Sequence, residues 1–416
     1  LLLDNDVVDC IEATLTEIGE TQGFTDAEDL MSCVVPPASK RQLPALPSQN
    51  ERQKLYAKRY VDLSKKLNLS QQINFALADI MAQYNNVIVF GEDVALKGGV
   101  YKVTKDLANW FGPSRVFDTL LDETTILGQA IGHAHNGFIP IPEIQFLAYL
   151  HNAEDQLRSE AATLSFFSAG QYVNPMVIRV ASFAYQKGFG GHFHNDNSFS
   201  VLRDLPGVII ACPSNGADAV KMLRHCVELA YVQGRVVVFM EPIALYMQKD
   251  LHESGDQLWL SDYPTLGDAL SLDELGVREN GNDAVIVTYG NGFYLSCRAQ
   301  KVLSEKYNIN IKVVDLRWLA PVNYDELFKH IGDIQHILVV DECRQTASIS
   351  EAIVTKLNQL EGKNIGRVTA ADCFIPLGES WHCILPDEQD IVAAIHDFLG
   401  NKPSILKKKF CVDAIK

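Results

Sequence analysis

Short apolar runs separated by segments with helical spacing constrain the fold of this chain more than any other feature of its sequence. The runs are largely continuous rather than alternating with polar residues, which predicts strands buried on both faces. Before the first run, Ser70 is placed to cap a helix with Ile73 and Leu77 on its apolar face. Strands of this kind that alternate with helices predict an α/β domain, a largely parallel sheet covered by helices on both faces. The predicted strands cover residues 87–90, 141–146, 176–181, 208–212 and 236–240.

A second series of strands and helices follows in the C-terminal part of the chain, and it predicts a second α/β domain. Its predicted strands are residues 284–288, 311–316, 337–340 and 367–370, and its predicted helices are residues 293–306, 323–331 and 347–360. We expect the chain to be divided into a first domain at 68–250, a connection at 251–280, a second domain at 281–400 and a basic tail at 401–416.

The residues before the first domain form a separate part of the chain. Val7, Ile11 and Leu15 lie at helical spacing among acidic residues, which predicts an amphipathic helix over residues 5–20. We interpret residues 1–33 as the helical tail of an upstream domain. Residues 34–67 are then a linker and lead-in whose extended conformation is indicated by Pro36, Pro37, Pro44 and Pro47.

Composition narrows the class of function. The formal net charge is −16, which argues against a nucleic-acid-binding surface, since such a surface needs a basic stripe. No apolar run approaches the roughly 20 residues of a membrane-spanning helix, so we expect no membrane segment. The nine cysteines are scattered and none lies in a Cys-x-x-Cys pair. This pattern predicts neither a zinc nor an iron–sulfur site and is typical of a reducing compartment.

Four polar segments lie at or just beyond predicted strands, at the edge where open α/β sheets bind ligands. Each also has a structural explanation, such as a capped turn or acidic residues at a helix start. The glycine-rich segment is the least easily explained by structure alone, because it exposes two histidines, His192 and His194. The four segments are residues 91–94, 118–123, 143–149 and 188–197.

Taken together and in this order, these segments resemble the β subunit of 2-oxo acid dehydrogenases of the pyruvate and branched-chain type. The resemblance extends from about residue 68 to residue 400. It includes Gly-Glu-Asp-Val at 91–94, the acidic segment ending at Glu123, and the stretches 314–321, 339–342 and 367–370 of the second domain. It implies a transketolase-like pyrimidine-binding domain followed by a C-terminal transketolase-type α/β domain.

The resemblance also implies a cofactor, thiamine diphosphate, and roles for individual residues. Glu123 corresponds to the carboxylate that bonds the pyrimidine ring nitrogen of the cofactor, and Tyr149 to the aromatic residue that stacks on that ring. His194 corresponds to the active-site histidine. Glu92 corresponds, less closely, to an acid near the cofactor. The implied reaction is oxidative decarboxylation of a 2-oxo acid, followed by transfer of the acyl group to a lipoyl group of a dihydrolipoyl acyltransferase.

Two departures from the family pattern bear on the substrate and on acyl transfer. The family usually continues His-Ser-Gln, whereas this chain has His194, Asn195 and Asp196, and His192 lies close enough to take the histidine's role. The family usually has proline where this chain has Leu120. Two other functions stay open at this point: ketol transfer by a transketolase or deoxyxylulose-phosphate synthase, and a non-catalytic subunit that docks partners.

The sequence contains no Gly-Asp-Gly, the motif with which thiamine enzymes bind the diphosphate and its magnesium ion. We therefore expect an α subunit, or an upstream α-like half of a fused chain, to supply that part of the site. Residues 1–33 resemble the tail of the α subunit, and the proline linker leads from them into the β-like part, so we expect a fused α–β chain of which these residues are the C-terminal portion. The alternative is an N-terminal extension of a separate β subunit. We expect a dimer, or two α with two β subunits, in the bacterial cytoplasm or, alternatively, in the mitochondrial matrix.

Overall fold

The computed structural model describes residues 4–20, 23, 26–183, 190–279 and 281–400. The helices of this part of the chain are α1 (Asp4–Glu20), α2 (Ala27–Val34), α3 (Gln49–Tyr56), α4 (Leu69–Gln83), α5 (Leu107–Phe111), α6 (Glu123–His135), α7 (Leu147–Leu150), α8 (Leu164–Phe167), α9 (Ser200–Arg203), α10 (Gly216–Gln233), α11 (Gly290–Tyr307), α12 (Tyr324–Ile331), α13 (Ile349–Leu357) and α14 (Glu388–Phe398). The strands are β1 (Val87–Gly91), β2 (Val116–Asp118), β3 (Ile139–Ile144), β4 (Met176–Ser182), β5 (Ile209–Ala211), β6 (Val236–Pro242), β7 (Gly276–Arg278), β8 (Ala284–Thr288), β9 (Ile311–Asp315), β10 (Trp318–Ala320), β11 (His336–Arg344) and β12 (Asn364–Ala370).

The first sheet has seven strands in the order β10-β5-β6-β4-β3-β1-β2. All neighbours are parallel except β10, which pairs antiparallel with β5. The second sheet has five strands in the order β12-β11-β8-β9-β7, and only β7 is antiparallel to its neighbour. The α/β class and the two largely parallel sheets predicted from the apolar runs are therefore confirmed.

Three short strands escaped prediction. β2 and β10 have only three residues each, too few to give a sequence pattern. β7 lies inside residues 251–280, which we expected to be a connection, and it forms an edge of the second sheet. β10 follows β9 of the second sheet in sequence but pairs with β5 of the first sheet, so the chain crosses between the sheets at this point.

The predicted cap of α4 is wrong. The helix begins at Leu69, and the side chain of Asn68 accepts a hydrogen bond from the backbone of Gln71 while the Gln71 side chain bonds the Asn68 backbone. Asn68 and Gln71 thus form a capping box, in which two backbone N–H groups are satisfied reciprocally. Ser70 lies inside the first turn, where its hydroxyl donates to the Asn68 side chain over 3.1 Å.

Strand β3 is displaced by two residues from the predicted 141–146. The N–H of Ile139 bonds the carbonyl of Asn86, so Pro140 and Pro142 turn their nitrogen atoms to the opposite side, toward β4. Pairing with β4 begins only at Glu143, beyond both prolines. The missing N–H groups therefore cost the sheet no hydrogen bond.

Apolar residues of alternate positions in β1 belong to different cores, as expected for a strand buried on both faces. Val87 and Val89 pack in a core that includes α4 and α10. Ile88 and Phe90 pack in a second core that also contains Val285 of β8 and other residues of the second sheet. This second core is shared by the two sheets and holds the two domains together.

The segment before α4 is partly anchored to the first domain. In α1 the apolar residues that were predicted on one face are exposed, from 44% at Val7 to 63% at Ile18. In α2 Cys33 is buried, and its carbonyl accepts a hydrogen bond from the Ser165 hydroxyl of α8. α3 is fixed by Arg52, which forms an ion pair with the buried Asp79 of α4. Among the described residues, no helix is long and apolar enough to cross a membrane.

Candidate active site

The carboxyl ends of the parallel strands β1, β2 and β3 meet at one edge of the first sheet, and polar residues follow them there. Glu92 follows β1 directly, and Tyr149 lies in α7 just after β3. Asp118 ends β2, and its carboxylate accepts hydrogen bonds from the backbone N–H groups of Ala95 and Leu96. Asp118 therefore shapes the loop after β1.

Glu123 is the first residue of α6 and its side chain is buried, with 7% of its surface exposed. The amide of Asn152 donates a hydrogen bond to Glu123 Oε2 over 3.2 Å. The carboxyl group of Glu92 lies against Glu123 and forms a hydrogen bond with it. Burial, the negative charge of Glu123 and this hydrogen bond raise the pKa of Glu92 to about 7. The raised pKa of Glu92 thus follows from burial and from the neighbouring carboxylate.

Tyr149 and His194 form the second pair of the site. The Tyr149 hydroxyl lies 3.3 Å from His194 Nε2, within hydrogen-bond reach. The ring of Phe146 packs edge-on against the His194 ring, with centroids 4.8 Å apart. Burial and the nearby charges of Glu92 and Glu123 raise the pKa of the Tyr149 hydroxyl, so it stays protonated. Glu92, Glu123, Tyr149 and His194, the four residues that the resemblance assigned to the site, are thus brought together.

The structure separates the two histidines of the glycine-rich segment. His194 faces Tyr149, whereas the ring of His192 packs against Phe374 with centroids 4.6 Å apart. Phe374 belongs to the loop after β12, so His192 faces the second domain. The roles of both histidines stay predictions. Gly188 and Phe189 of the same segment lie outside the described residues.

Two residues that tie this site together, both of them partners of Asp196, were not identified from the sequence. His151, two residues after Tyr149, lies 3.3 Å from the carboxylate of Asp196, and Arg344 of β11 donates to the same carboxylate over 2.9 Å. A sequence signal for this contact was present, because Asp196 is an acid where the family pattern usually has glutamine. The residues that pair with Asp196 are distant in sequence. Only the fold could identify His151 and Arg344 as those partners.

A buried charge network under the site was also missed. Arg179 of β4 is 1% exposed and donates to Glu241 of β6 over 2.6 Å and 2.8 Å and to Glu143 of β3 over 2.7 Å. The Tyr246 hydroxyl donates to Glu241 over 2.5 Å. The signal for this network was an arginine in the middle of an apolar run, since a buried charge must be paired.

Among the described residues, no group of three or more His, Cys, Asp or Glu side chains is placed to hold a metal ion. The carboxyl pair, by contrast, fits the pyrimidine ring of thiamine diphosphate. Glu123 is a buried carboxylate that accepts from Asn152 and can bond a ring nitrogen, and Glu92, whose pKa is raised to about 7, lies beside it.

Two family models match the chain. The pyrimidine-binding domain of transketolase matches residues 65–248, and the transketolase C-terminal domain matches residues 274–391. A solved structure described as a split gene transketolase, inactive beta4 tetramer, superposes with a TM-score of 0.61 at 18% identity. The superposition covers 82% of this chain and 100% of that chain, and it supports the fold alone.

Two curated relatives share about a third of the aligned residues. The 3-methyl-2-oxobutanoate dehydrogenase subunit beta of Mycobacterium tuberculosis is 32% identical over 299 residues, which cover 72% of this chain and 81% of the relative. The pyruvate dehydrogenase E1 component subunit beta of Staphylococcus aureus is 32% identical over 336 residues, which cover 78% of this chain and 96% of the relative. The resemblance read from the motifs is therefore confirmed, and the chain belongs to the family of 2-oxo acid dehydrogenase E1 β subunits.

Proposed function

We propose that this chain carries the β half of a thiamine-diphosphate-dependent active site that decarboxylates a 2-oxo acid and transfers the acyl group to a lipoyl group. The observation that carries the proposal is the pair of adjacent carboxyl groups, Glu92 and Glu123, beside Tyr149 and His194. The names of the relatives, dehydrogenases of pyruvate and of 3-methyl-2-oxobutanoate, support the class of substrate.

Glu123 and Tyr149 would hold the aminopyrimidine ring. Glu123 would accept or share a proton at the ring nitrogen, with Asn152 fixing the orientation of its carboxylate. Glu92 would keep that proton available, because its pKa of about 7 lets it give and take a proton near neutral pH. The Tyr149 ring would stack on the pyrimidine. When bound, thiamine diphosphate supplies the electron sink for cleavage of the bond to the carboxylate.

His194 would act in the transfer of the acyl group to the lipoyl group, whose disulfide is the oxidant of the reaction. Its Nε2 lies 3.3 Å from the Tyr149 hydroxyl, so its ring is directed into the site. Opening of the disulfide would leave one sulfur bearing the acyl group and the other as a thiolate. A histidine can give this thiolate its proton, because an imidazole exchanges protons near neutral pH. The acyl acceptor in this proposal is the lipoyl domain of a dihydrolipoyl acyltransferase.

The diphosphate and its magnesium ion would be bound by an α subunit or an upstream α-like half, because this sequence has no Gly-Asp-Gly. We infer an assembly with two complete sites, built from two fused chains or from two α and two β subunits. Residues 1–33 would be the end of the α-like half. The bacterial sources of the named relatives favour the cytoplasm as the location.

The proposal is tested by the Glu123→Gln variant in the enzyme assembled with its α-like part. Glutamine keeps the size of the side chain and one hydrogen bond but cannot share a proton as a carboxylate does. We expect decarboxylation to fall by the roughly 10²–10⁴-fold that is typical of acid–base groups, without a fall in the melting temperature. Glu160→Gln, at an exposed position of the same domain, is the matched control and should keep full activity.

Wild-type enzyme would be assayed in parallel with pyruvate, 2-oxobutanoate, branched 2-oxo acids and sugar phosphates. We expect turnover of at least one 2-oxo acid and acylation of a lipoyl domain. Near-normal turnover by Glu123→Gln would return this residue to a structural role at the start of α6. Turnover of sugar phosphates alone would replace the proposed reaction by ketol transfer.

A further inference from the structure

A single turn of the chain, from Tyr149 to Asn152, presents three side chains to three different parts of the site. Tyr149 contacts His194, His151 contacts Asp196, and Asn152 donates to Glu123. His194 and Asp196 are two residues apart in the glycine-rich segment. The turn and the segment are therefore joined by two neighbouring contacts, one through His194 and one through Asp196.

Asp196 is the centre of the second contact. Its side chain is 3% exposed, and it accepts from Arg344 over 2.9 Å and from the backbone N–H of Ser198 over 3.3 Å. His151 Nε2 lies 3.3 Å from its other oxygen. A buried carboxylate needs such partners, since an unpaired charge is costly to bury. Through Asp196, the turn after β3 is connected to the end of β11 in the second domain.

We propose that His151, Asp196 and Arg344 form a clamp that positions His194 against Tyr149. His151 and Arg344 hold Asp196 from opposite domains, and a shift of Asp196 must move His194, because only Asn195 separates them. Asn195 is itself fixed by a hydrogen bond from its side chain to the Gly191 carbonyl over 3.0 Å. The three clamp residues are positioning residues. What His194 then does in catalysis rests on the proposed function.

The clamp depends on pH through His151. The groups that face His151 are Asp196 from the glycine-rich segment and Glu154 from its own turn, and both are acidic. Arg344 and His192 act on the other side of Asp196. The hydrogen bond to Asp196 raises the pKa of His151 above its usual value, against the opposing effect of burial. Burial of Asp196 acts to raise the pKa of its carboxyl group. The hydrogen bonds from His151 and Arg344 outweigh burial, so this pKa is lowered.

The sign of the effect follows from these directions. Because its folded-state pKa is raised, protonated His151 stabilises the clamp fully below its ordinary pKa, and this contribution is lost as pH rises through the raised value. Because the pKa of Asp196 is lowered, its carboxylate stays ionised throughout that range. Its own titration affects the clamp only in more acidic solution. The clamp is therefore closed in mildly acidic solution and loosens as the solution becomes alkaline.

Hydrogen exchange of peptides over residues 190–199 tests the clamp without reference to catalysis. Rates would be measured in the full chain at about pH 6 and about pH 8, below and above the ordinary histidine pKa, and corrected for intrinsic exchange. In the wild type we expect exchange to be about three- to tenfold faster at the higher pH, the size of one hydrogen bond. His151→Ala should show the fast rate at both pH values.

Two further variants sharpen the test. In His151→Gln the amide nitrogen takes the place of Nε2 and bonds Asp196 without titrating, so exchange should stay slow at both pH values. His225→Gln is the matched control, because His225 pairs with Glu228 over 3.6 Å, the distance of the His151–Glu154 pair, but lies on α10. This control should behave as the wild type. Equal exchange in the wild type and His151→Ala overturns the clamp.

Activity measured on the assembled enzyme separates the clamp from the proposed function. We expect lipoyl acylation to fall in His151→Ala and to be restored in His151→Gln, with decarboxylation unchanged in both. If exchange responds as expected and acylation does not, the clamp stands and the role proposed for His194 is wrong. If exchange does not respond, the clamp is wrong whatever the activities show.

Discussion

At the scale of single residues, the site depends on groups whose protonation is set by their neighbours. Glu92 and Glu123 are adjacent carboxyl groups, and they cannot both ionise without strong repulsion. The raised pKa of Glu92 follows from burial and from this contact. Sequence reasoning placed both residues in the site, but only the fold shows that they touch.

The first prediction concerns the effect of Glu92 on stability. Because its folded-state pKa is raised to about 7, the folded chain binds more protons than the unfolded chain between pH about 4.5 and 7, and stability falls as pH rises through this window. Glu92→Gln should remove this fall. Melting temperatures from pH 5 to 8 measure it, with Glu253→Gln, at a side chain exposed by 79%, as the control. If the melting temperature changed equally with pH in the wild type and in Glu92→Gln, the contact with Glu123 would be contradicted.

The second prediction concerns the two histidines. His194→Ala should reduce lipoyl acylation by about 10²–10⁴-fold, and decarboxylation with an artificial electron acceptor much less. His192→Ala should reduce either activity only slightly, because its ring packs on Phe374 rather than on Tyr149. Both assays on both variants decide the assignment. If His192→Ala is the damaging change, the histidine of the family pattern has been assigned two residues too late.

At the scale of elements, the charge network of β3, β4 and β6 holds the central strands in one arrangement. Arg179 satisfies Glu143 and Glu241 together, so each carboxylate is paired by the same guanidinium. The network lies directly below the residues that follow β3. It fixes the strand from which the turn containing Tyr149 and His151 begins.

Removing Arg179 should therefore destabilise the chain strongly. Arg179→Leu leaves two buried carboxylates without their cation, and breaking such a pair costs about 3–5 kcal/mol. Lys65→Met is the matched control, because the Lys65 side chain in its ion pair with Asp62 is 63% exposed. The control should cost at most about 1 kcal/mol. Urea unfolding of both variants measures the difference, and similar values would show that the buried network adds no stability.

At the scale of the whole molecule, the two domains are connected by more than the chain that joins them. β10 adds a strand from the second half to the first sheet, and one apolar core contains residues of both sheets. The candidate site uses the same connection, since Arg344 of the second domain reaches Asp196 of the first. A site built this way needs both domains in place.

We accordingly expect the two domains to unfold in one transition. Trp318 of β10 is fully buried, and Trp318→Ala should lower the free energy of unfolding of the whole chain by about 3–5 kcal/mol. Leu258→Ala, at a side chain 60% exposed, is the control. Calorimetry and tryptophan fluorescence should report a single shifted transition. Separate transitions, of which Trp318→Ala moves only one, would show that the domains are independent.

The sequence by itself determined the fold class and most strand positions, and it predicted four site residues that the fold brings together. Strands buried on both faces leave continuous apolar runs, and a family motif preserves the order and spacing of its residues. Other features were decided by local contacts that involve too few residues to leave such a pattern. They are the cap at Asn68, the short strands β2, β7 and β10, and the bend that ends β3 before Gln145.

The tertiary structure alone decided which side chains meet. Arg179 and Glu241 are 62 residues apart, and Asp196 and Arg344 are 148 residues apart. The spacing of these residues does not predict their contacts, because parallel strands bring carboxyl ends that are distant in sequence to one edge of a sheet through long crossovers. The same geometry turned His194 toward Tyr149 and His192 toward the second domain. Composition and periodicity specify what must be buried, and the packing of the two sheets then decides which polar groups share the remaining space.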